Sequence, residues 1–443
     1  MALAALPGRV NAQFTFTTNN GAITITGYTG TGGAVVIPAS TNSHPVTAVG
    51  DYAFKDVTTV TSVTIPSSVT RIGDNAFYSC TGLKSVTIPT SVTNIGNSVF
   101  IFCTSLASIT IPTSVKSIGD SAFHNCTSLT SVTIPNSVTT IGDNAFNASV
   151  GVKSLSISSS VTTIGEAAFG YCASLTSVTI PSSVTTIGAS AFGGCYKLTN
   201  ITVSASNPAY KSVNGVLFDK AQVKLLQFPI GLGGSYTIPN GVTTIGDAAF
   251  NNCTNLMAVT ITNSVTTIGY AAFGGCSKLT SLIIPSSVTS IADYAFKDCA
   301  SIKTVTIGNQ LASIGNYAFF VCTNLTSAYF QGNAPATNGN AFYADPAIVY
   351  YLSGTSGWGS TFGGVPTMLW NPQPANAGFI GGKFGFNLSG PANAVVVVQA
   401  CTNLTNPVWL PVGTNTFSSA STTTFSDAKS GSYRSRYYRV LAP

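Results

Sequence analysis

The sequence predicts a β-rich α/β solenoid followed by a small C-terminal all-β, sandwich-like domain, and three observations predict it. Phenylalanine recurs at one constant interval (i, i+23) at Phe54, Phe77, Phe100, Phe123, Phe146, Phe169 and Phe192, and again at Phe250, Phe273, Phe296, Phe319 and Phe342. Each lies in one template, seen in LTSVTIPSSVTTIGASAFGGC from Leu175 to Cys195. A fixed period of this length marks units that stack on their neighbours and share one core. Beyond residue 371 the period is lost, and FGFNLS, AVVVVQA, VWLPVGT, TTTFSD and YRSRYYRVL follow one another as short strands.

In chain order, residues 1–13 read as the remnant of a signal peptide: a short apolar stretch, then Val10 and Ala12 at the small-residue positions before a cut. Residues 14–50 hold a hairpin pattern around Asn20-Gly21, suited to cap an atypical first coil. The array proper is assigned to 51–346. An insert at 204–237 breaks the rhythm, so that the interval from Phe192 to Phe250 is no multiple of the period. Its Asn214-Gly215 and the stretch Asp219 to Gln222 read as turns, which predicts an enlarged coil with a projecting hairpin. Residues 347–371 stay aromatic but lose the template, as a C-terminal cap and linker would, and NPQPANAG from Asn371 continues the linker character. Residues 372–443 form the small β domain.

Within a coil, Leu-x-x-Val-x-Ile-Pro alternates apolar and hydroxyl residues, as a half-buried strand does, and Pro ends it by removing a ladder donor. Val178 and Ile180 point inward, Ser177 and Thr179 outward. A second short extended stretch, Val-Thr-Thr-Ile-Gly, buries Val184 and Ile187. Asp-x-Ala-Phe then reads as a single helical turn whose acid caps exposed N–H groups. Asp51, Asp74, Asp120, Asp143, Glu166, Asp247 and Asp293 share that position, interrupted at Asn97, Ala189, Tyr270 and Asn316. Capping therefore explains this column of acids better than calcium does, and no metal is expected. Cys80, Cys103, Cys126, Cys172, Cys195, Cys253, Cys276, Cys299 and Cys322 form a structural ladder at a fixed offset after Phe, with Ser149 in the same slot. Parallel Cβ vectors in a stack suit free thiols bonded to backbone carbonyls better than disulfides.

The template L-x-x-V-x-I-P-x-x-V-x-x-I-G-D-x-A-F-x-x-C-x-x resembles the BspA-like bacterial leucine-rich repeat over about residues 35 to 346. The resemblance implies a curved right-handed solenoid with a parallel sheet on one face. It also implies a bacterial protein, secreted or attached to the cell surface, that serves as an adhesin or binding scaffold.

Only 7% of the chain is charged, and its net charge of +6 comes from scattered lysines and arginines, so no basic stripe suits nucleic acid. No run is apolar for long enough to span a membrane as a helix. No cofactor motif is present, and neither His44 nor His124 stands in a recognisable catalytic constellation, although Asp120 is placed to orient His124. The expected partner is an extracellular protein or glycan. Candidate contacts are the outward hydroxyls Ser131, Thr133, Ser177 and Thr179, the loop aromatics Tyr78, Tyr171 and Tyr196, and Lys211, Lys220 and Lys224 of the insert. Phe102, Phe320 and Tyr329 also break the pattern, with Phe102 and Phe320 expected beside the landmark Phe of their own coils. The alternatives are a structural surface-layer component without a specific ligand and, third, an ice-binding or glycan-active protein, the former suggested by threonine pairs such as Thr139-Thr140 and Thr162-Thr163.

Overall fold

The computed structural model describes residues 13–370, 372–390, 395–417 and 422–441, so the signal-peptide reading falls almost wholly outside it. Two compact units are present. The first runs through Leu232 and takes in Ala248–Cys253; the second comprises Gly233–Asp247 and the chain from Thr254 onward.

Both units are built from coils that pair in parallel at the phenylalanine period. Thr140 pairs with Thr163 and Thr163 with Thr186 in the first unit; Thr267 pairs with Ser290 and Ser290 with Ser313 in the second. The template strand pairs likewise, Ser131–Thr133 with Ser154–Ser156 and Ser281–Ile284 with Thr304–Ile307. Inside, the landmark phenylalanines form columns of near-parallel rings: Phe146 to Phe169 are 5.4 Å apart at 4° and Phe296 to Phe319 5.0 Å at 11°. Offset stacking of this kind is the favoured aromatic geometry. Each of these rings is fully buried.

The Asp-x-Ala-Phe stretch is not a helical turn. No α-helix occurs among the described residues. In the coil at Gly73, the Ala76, Tyr78 and Cys80 N–H groups close successive turns onto Gly73, Asn75 and Phe77, while Asn75, Phe77 and Ser79 donate to the carbonyls of Asn97, Val99 and Ile101 in the next coil. Asn75 and Ser79 adopt φ of 57° and 54° to make this alternation possible. A segment this short cannot repay helix nucleation, so half of its donors serve coil stacking instead.

The acids consequently cap something other than a helix. Asp51, Asp74, Asp120 and Asp143 each accept, through Oδ1, the backbone N–H of the equivalent residue one coil later, at 2.6–3.0 Å. Asn97 does the same for Asp120, so it continues the column that its uncharged side chain was expected to interrupt. In the second unit Asp247 and Asp293 bond the N–H groups of Tyr270 and Asn316. The preceding glycine is part of this device: a Cβ at Gly142 would lie 2.5 Å from Asp120 Oδ1, and one at Gly269 2.6 Å from Asp247 Oδ1. Ala292 replaces that glycine in the coil stacked on Tyr270, where no short carboxylate points at it.

The insert contains a coil hidden from the phenylalanine count. Phe228 fills the landmark slot: its ring stacks on Phe250 at 4.9 Å and its N–H bonds Ala249 O at 2.7 Å, as Phe54 N–H bonds Ala76 O. The strands Tyr210–Val213, Val216–Asp219 and Lys224–Gln227 pair antiparallel, through turns at Asn214-Gly215 and Asp219–Gln222. The hairpin does not project, because Val216, Leu217, Phe218 and Leu225 are buried.

At the N-terminal end, Phe14–Asn19 and Ala22–Tyr28 form a hairpin with Asn20 and Gly21 both at positive φ, the requirement of a type I′ turn. Tyr28 stacks on Phe54 at 5.2 Å and so begins the ring column. After Phe342, Ile348–Tyr351 and Val365–Leu369 extend the parallel sheet. The expected linker NPQPANAG instead contributes most of the strand Pro374–Ile380, which pairs with Lys383–Ser389. That strand, Lys383–Ser389 and Thr422–Asp427 make one antiparallel sheet; Leu410–Thr416, Val395–Cys401 and Tyr437–Leu441 make a second. Phe386, Leu388, Val396, Val398, Phe417 and Phe425 are buried together with Trp370.

Candidate functional site

Most template polar groups are occupied by coil stacking, which narrows where a ligand could be recognised. The Cys80, Cys103, Cys126, Cys172, Cys195, Cys299 and Cys322 thiols donate to the carbonyl of the landmark Phe one coil earlier, at 2.9–3.4 Å. Ser149 keeps that bond at 2.8 Å, which explains the one exchange within the run. None of the ten cysteines is in a disulfide, and all are buried. Burial pushes the Cys80 and Cys195 thiols up to about 12, so they remain protonated donors. The threonine pairs are half committed as well: Thr139, Thr162, Thr266 and Thr289 donate to carbonyls of the preceding coil at 3.1–3.3 Å.

Asp345 occupies the cysteine slot of the last landmark coil. Its Oδ1 accepts Cys322 N–H at 2.7 Å, while Oδ2 is buried without a partner. Burial raises its carboxyl from 3.8 to about 7. A carboxyl whose pKa is higher in the folded state contributes stability that is complete below about pH 4 and is lost as pH rises through 7. Serine at this slot both accepts and donates, as Ser149 does. Asp345→Ser should therefore gain stability relative to the parent protein across that window in urea titrations. A difference that stays constant from pH 4 to 8 would refute the assignment.

The predicted contact residues fall on separate parts of the coils. Ser131, Thr133, Ser177 and Thr179 are exposed on the strand face in register with Ser154, Ser156, Asn200 and Thr202. Of the insert lysines, Lys220 is occupied, its Nζ donating to Ala205 O at 3.3 Å and Asn207 O at 2.5 Å. Lys211 is half-buried in its strand and Lys224 is exposed. Tyr171 is 48% exposed but leans over Gly194, where an added Cβ would collide with its ring. Tyr196 is 46% exposed. No hydrogen bond or ring contact among the described residues joins the strand-face hydroxyls to these aromatics or lysines.

The aromatics that do cluster lie in the chained turns. Tyr78, Phe102 and His124 form an edge-to-face series at 5.8 and 5.6 Å. Phe102 thus joins a surface series instead of packing beside Phe100. His124 Nδ1 is buried without a partner and burial lowers its pKa. Asp120 Oδ1 is given to Asp143 N–H and no bond links it to His124, contrary to the expected orienting role. In the second unit Tyr270, Tyr294 and Tyr317 follow one another at 5.7 and 5.4 Å, and Tyr317, Phe320 and Tyr343 continue the strip at 5.4 and 6.0 Å. Tyr270 and Tyr343 are 54% and 53% exposed. Beside Tyr270 a trough of about 500 Å³ is lined by Ser290, Ser313, Thr337 and Asp293. A second depression of about 500 Å³ lies on the strand face between Thr260, Ile283, Thr306 and Gln331. Tyr329 does not serve as an open strand-face contact: it stacks on Tyr350 at 5.0 Å and meets Trp370 edge-on at 6.5 Å, against the C-terminal core.

Tyr52, Tyr294, Tyr317 and Tyr343 escaped the sequence reading, and Tyr270 entered it only as a break in the column of acids. Aligning the coils by the phenylalanine period would have revealed three of them, because Tyr52, Tyr294 and Tyr317 all follow the acid slot, where most coils carry Asn, Ser or Ala.

The BspA type leucine rich repeat region, in six copies, matches residues 37–151, 99–222 and 234–348. The chain belongs to the BspA-type leucine-rich repeat family. Among solved structures, a leucine rich cell surface protein of Faecalibacterium prausnitzii is similar at 34% identity, covering 75% of this chain and 96% of that one with a TM-score of 0.62. A leucine-rich repeat protein of Eubacterium ventriosum is similar at 28% identity, with coverage of 77% and 84% and a TM-score of 0.52. The pneumococcal vaccine antigen PcpA shares the fold at 22% identity, with coverage of 77% and 92% and a TM-score of 0.55. No curated protein matches the chain. In this BspA-type array the recurring polar groups bond to neighbouring coils, and exposed rings stand mainly in the slots that vary from coil to coil. No metal-ligating cluster occurs among the described residues, and none of their helices could cross a membrane.

Proposed function

We propose that this chain is a bacterial secreted or cell-surface scaffold that binds an extracellular protein or glycan and performs no catalysis. The observation that carries this reading is the division of labour just described: template groups are satisfied by neighbouring coils, whereas solvent-facing aromatics collect in the variable turn slots. Exposed rings held by a rigid framework offer contact area at little cost in conformational entropy. Similarity to a leucine rich cell surface protein supports the location.

The test is saturable binding of the purified full chain to immobilised matrix proteins and polysaccharides, with turnover of each polysaccharide measured in parallel. Saturable retention without turnover is expected. Turnover would establish an enzyme. Failure to bind any member of the panel, together with end-to-end assembly of the protein, would favour the structural surface-layer reading instead.

A further inference from the structure

The template fixes the acid, Ala and Phe of the turn run but leaves open the slot after the acid and the two after Phe. These slots hold Asn75, Tyr78 and Ser79 in one coil, Ser121, His124 and Asn125 in another, and Ala271, Gly274 and Gly275 in a third. In two coils, one in each unit, all three agree. Asp51–Asp56 and Asp293–Asp298 both read Asp-Tyr-Ala-Phe-Lys-Asp.

The placement of cation and carboxylate agrees as well, although Tyr294 is also flanked by Tyr270 at 5.7 Å and Tyr317 at 5.4 Å. Lys55 Nζ lies 5.6 Å from the Tyr52 ring centre, 5.5 Å from that of Tyr78 in the next coil and 4.0 Å from Asp56 Oδ2. Lys297 Nζ lies 5.9 Å from Tyr294, 6.0 Å from Phe320 in the next coil and 3.6 Å from Asp298 Oδ2. Tyr52 and Tyr294 both have φ of 58°, and Asp56 and Asp298 have 60° and 58°. A bulky side chain at positive φ is strained, and packing does not demand one where Asn, Ser or Ala serves elsewhere. The lysines and acids retain between 42% and 61% exposure, so donor and acceptor both face solvent.

We propose that each hexapeptide builds a carbohydrate subsite on its own unit. The exposed aromatic surface, Tyr52 in one unit and the strip Tyr270, Tyr294 and Tyr317 in the other, covers the C–H face of a pyranose, the ammonium donates to one ring substituent, and the carboxylate accepts from a neighbouring hydroxyl. A fixed cation between two rings, with an acceptor beside it, matches the alternating apolar and hydroxyl faces of a sugar. A protein partner would call for a broader, contiguous interface than these small clamps among Ser, Thr and Asn provide. This inference rests on the scaffold reading and assigns it a ligand class.

The experiment measures retention of the full chain on laminarin, mannan, polygalacturonate and chitin, and titrates it with the matching oligosaccharides. Tyr52→Asn and Tyr294→Asn keep a residue that this slot holds natively at Asn75 and Asn144, so the coil is preserved. At least one polysaccharide should be retained. The oligosaccharide should bind two per chain, each single variant should remove one of the two sites, and the double variant should abolish retention. Undiminished retention by the double variant would overturn the assignment. Retention by matrix proteins alone would overturn it while leaving the scaffold reading intact, and failure on both panels would remove both.

Discussion

Phe169→Ala is expected to cost about 3–5 kcal/mol. The ring is fully buried between Phe146 at 5.4 Å and Phe192 at 5.7 Å, both within 4° of parallel. Collapse into the void is opposed from both sides, because Phe146 N–H is bonded to Ala168 O at 2.7 Å and Phe169 N–H to Ala191 O at 2.9 Å. The coils cannot close the gap without breaking those bonds. Because stability in a stacked array passes between nearest neighbours, faster hydrogen exchange should centre on the coils at Phe146 and Phe192. Urea titration supplies the magnitude. Uniform loosening from Ala22 to Val440, or a cost below about 1 kcal/mol, would mean that the ring column is not the core it resembles.

Gly142→Ala should cost about 1–3 kcal/mol, against the usual direction of that substitution. Gly142 lies outside the left-handed region, so alanine would ordinarily stabilise by restricting the unfolded chain. Here the new Cβ would sit 2.5 Å from Asp120 Oδ1 and 2.7 Å from Asp120 N, and close contact outweighs the entropy gain. The chain contains its own control in Ala292, stacked on Tyr270. Combining Gly142→Ala with Asp120→Ser removes the oxygen that collides, so the double variant should lose less than the two single changes added together. Strict additivity in thermal or urea unfolding would show that the carboxylate is not what reserves this slot for glycine.

The period of the landmark phenylalanines made the solenoid legible because a ring in a stacked column tolerates little change of spacing. Five of the C-terminal strands were legible as short strand patterns, whereas Pro374–Ile380 was hidden because its Pro, Asn and Gly residues read as a linker. Phe228 was hidden because the insert lengthens its coil, which puts it far out of step with Phe192 and one position off the period before Phe250. The acid slot was read as a helix cap because Asp before Ala-Phe is locally indistinguishable from one. Its partner is the equivalent residue of the next coil, remote along the chain, and only the stack brings the two together. The tyrosines of the turn slot were missed for the opposite reason. Residues such as Phe102 and Tyr171 stood out by breaking the template, whereas Tyr52 and Tyr294 sit in a slot that varies so freely that a single occupant carries little signal. They stand out once the coils are aligned by the period, and the identity of the two whole hexapeptides then shows.

The central claim is that the polar template residues are spent on the neighbouring coil, and exchange of the Asp143 backbone amide tests it most directly. Asp143 is an exposed turn residue, and its N–H donates to Asp120 Oδ1 at 2.9 Å. The amide should be protected to nearly the same degree as core amides such as that of Phe146. In Asp120→Ala it should exchange freely while Glu166 N–H, bonded to Asp143 Oδ1 at 2.6 Å, stays protected. Loop-like exchange of Asp143 in the parent protein, or no change on removing the Asp120 carboxylate, would contradict the account.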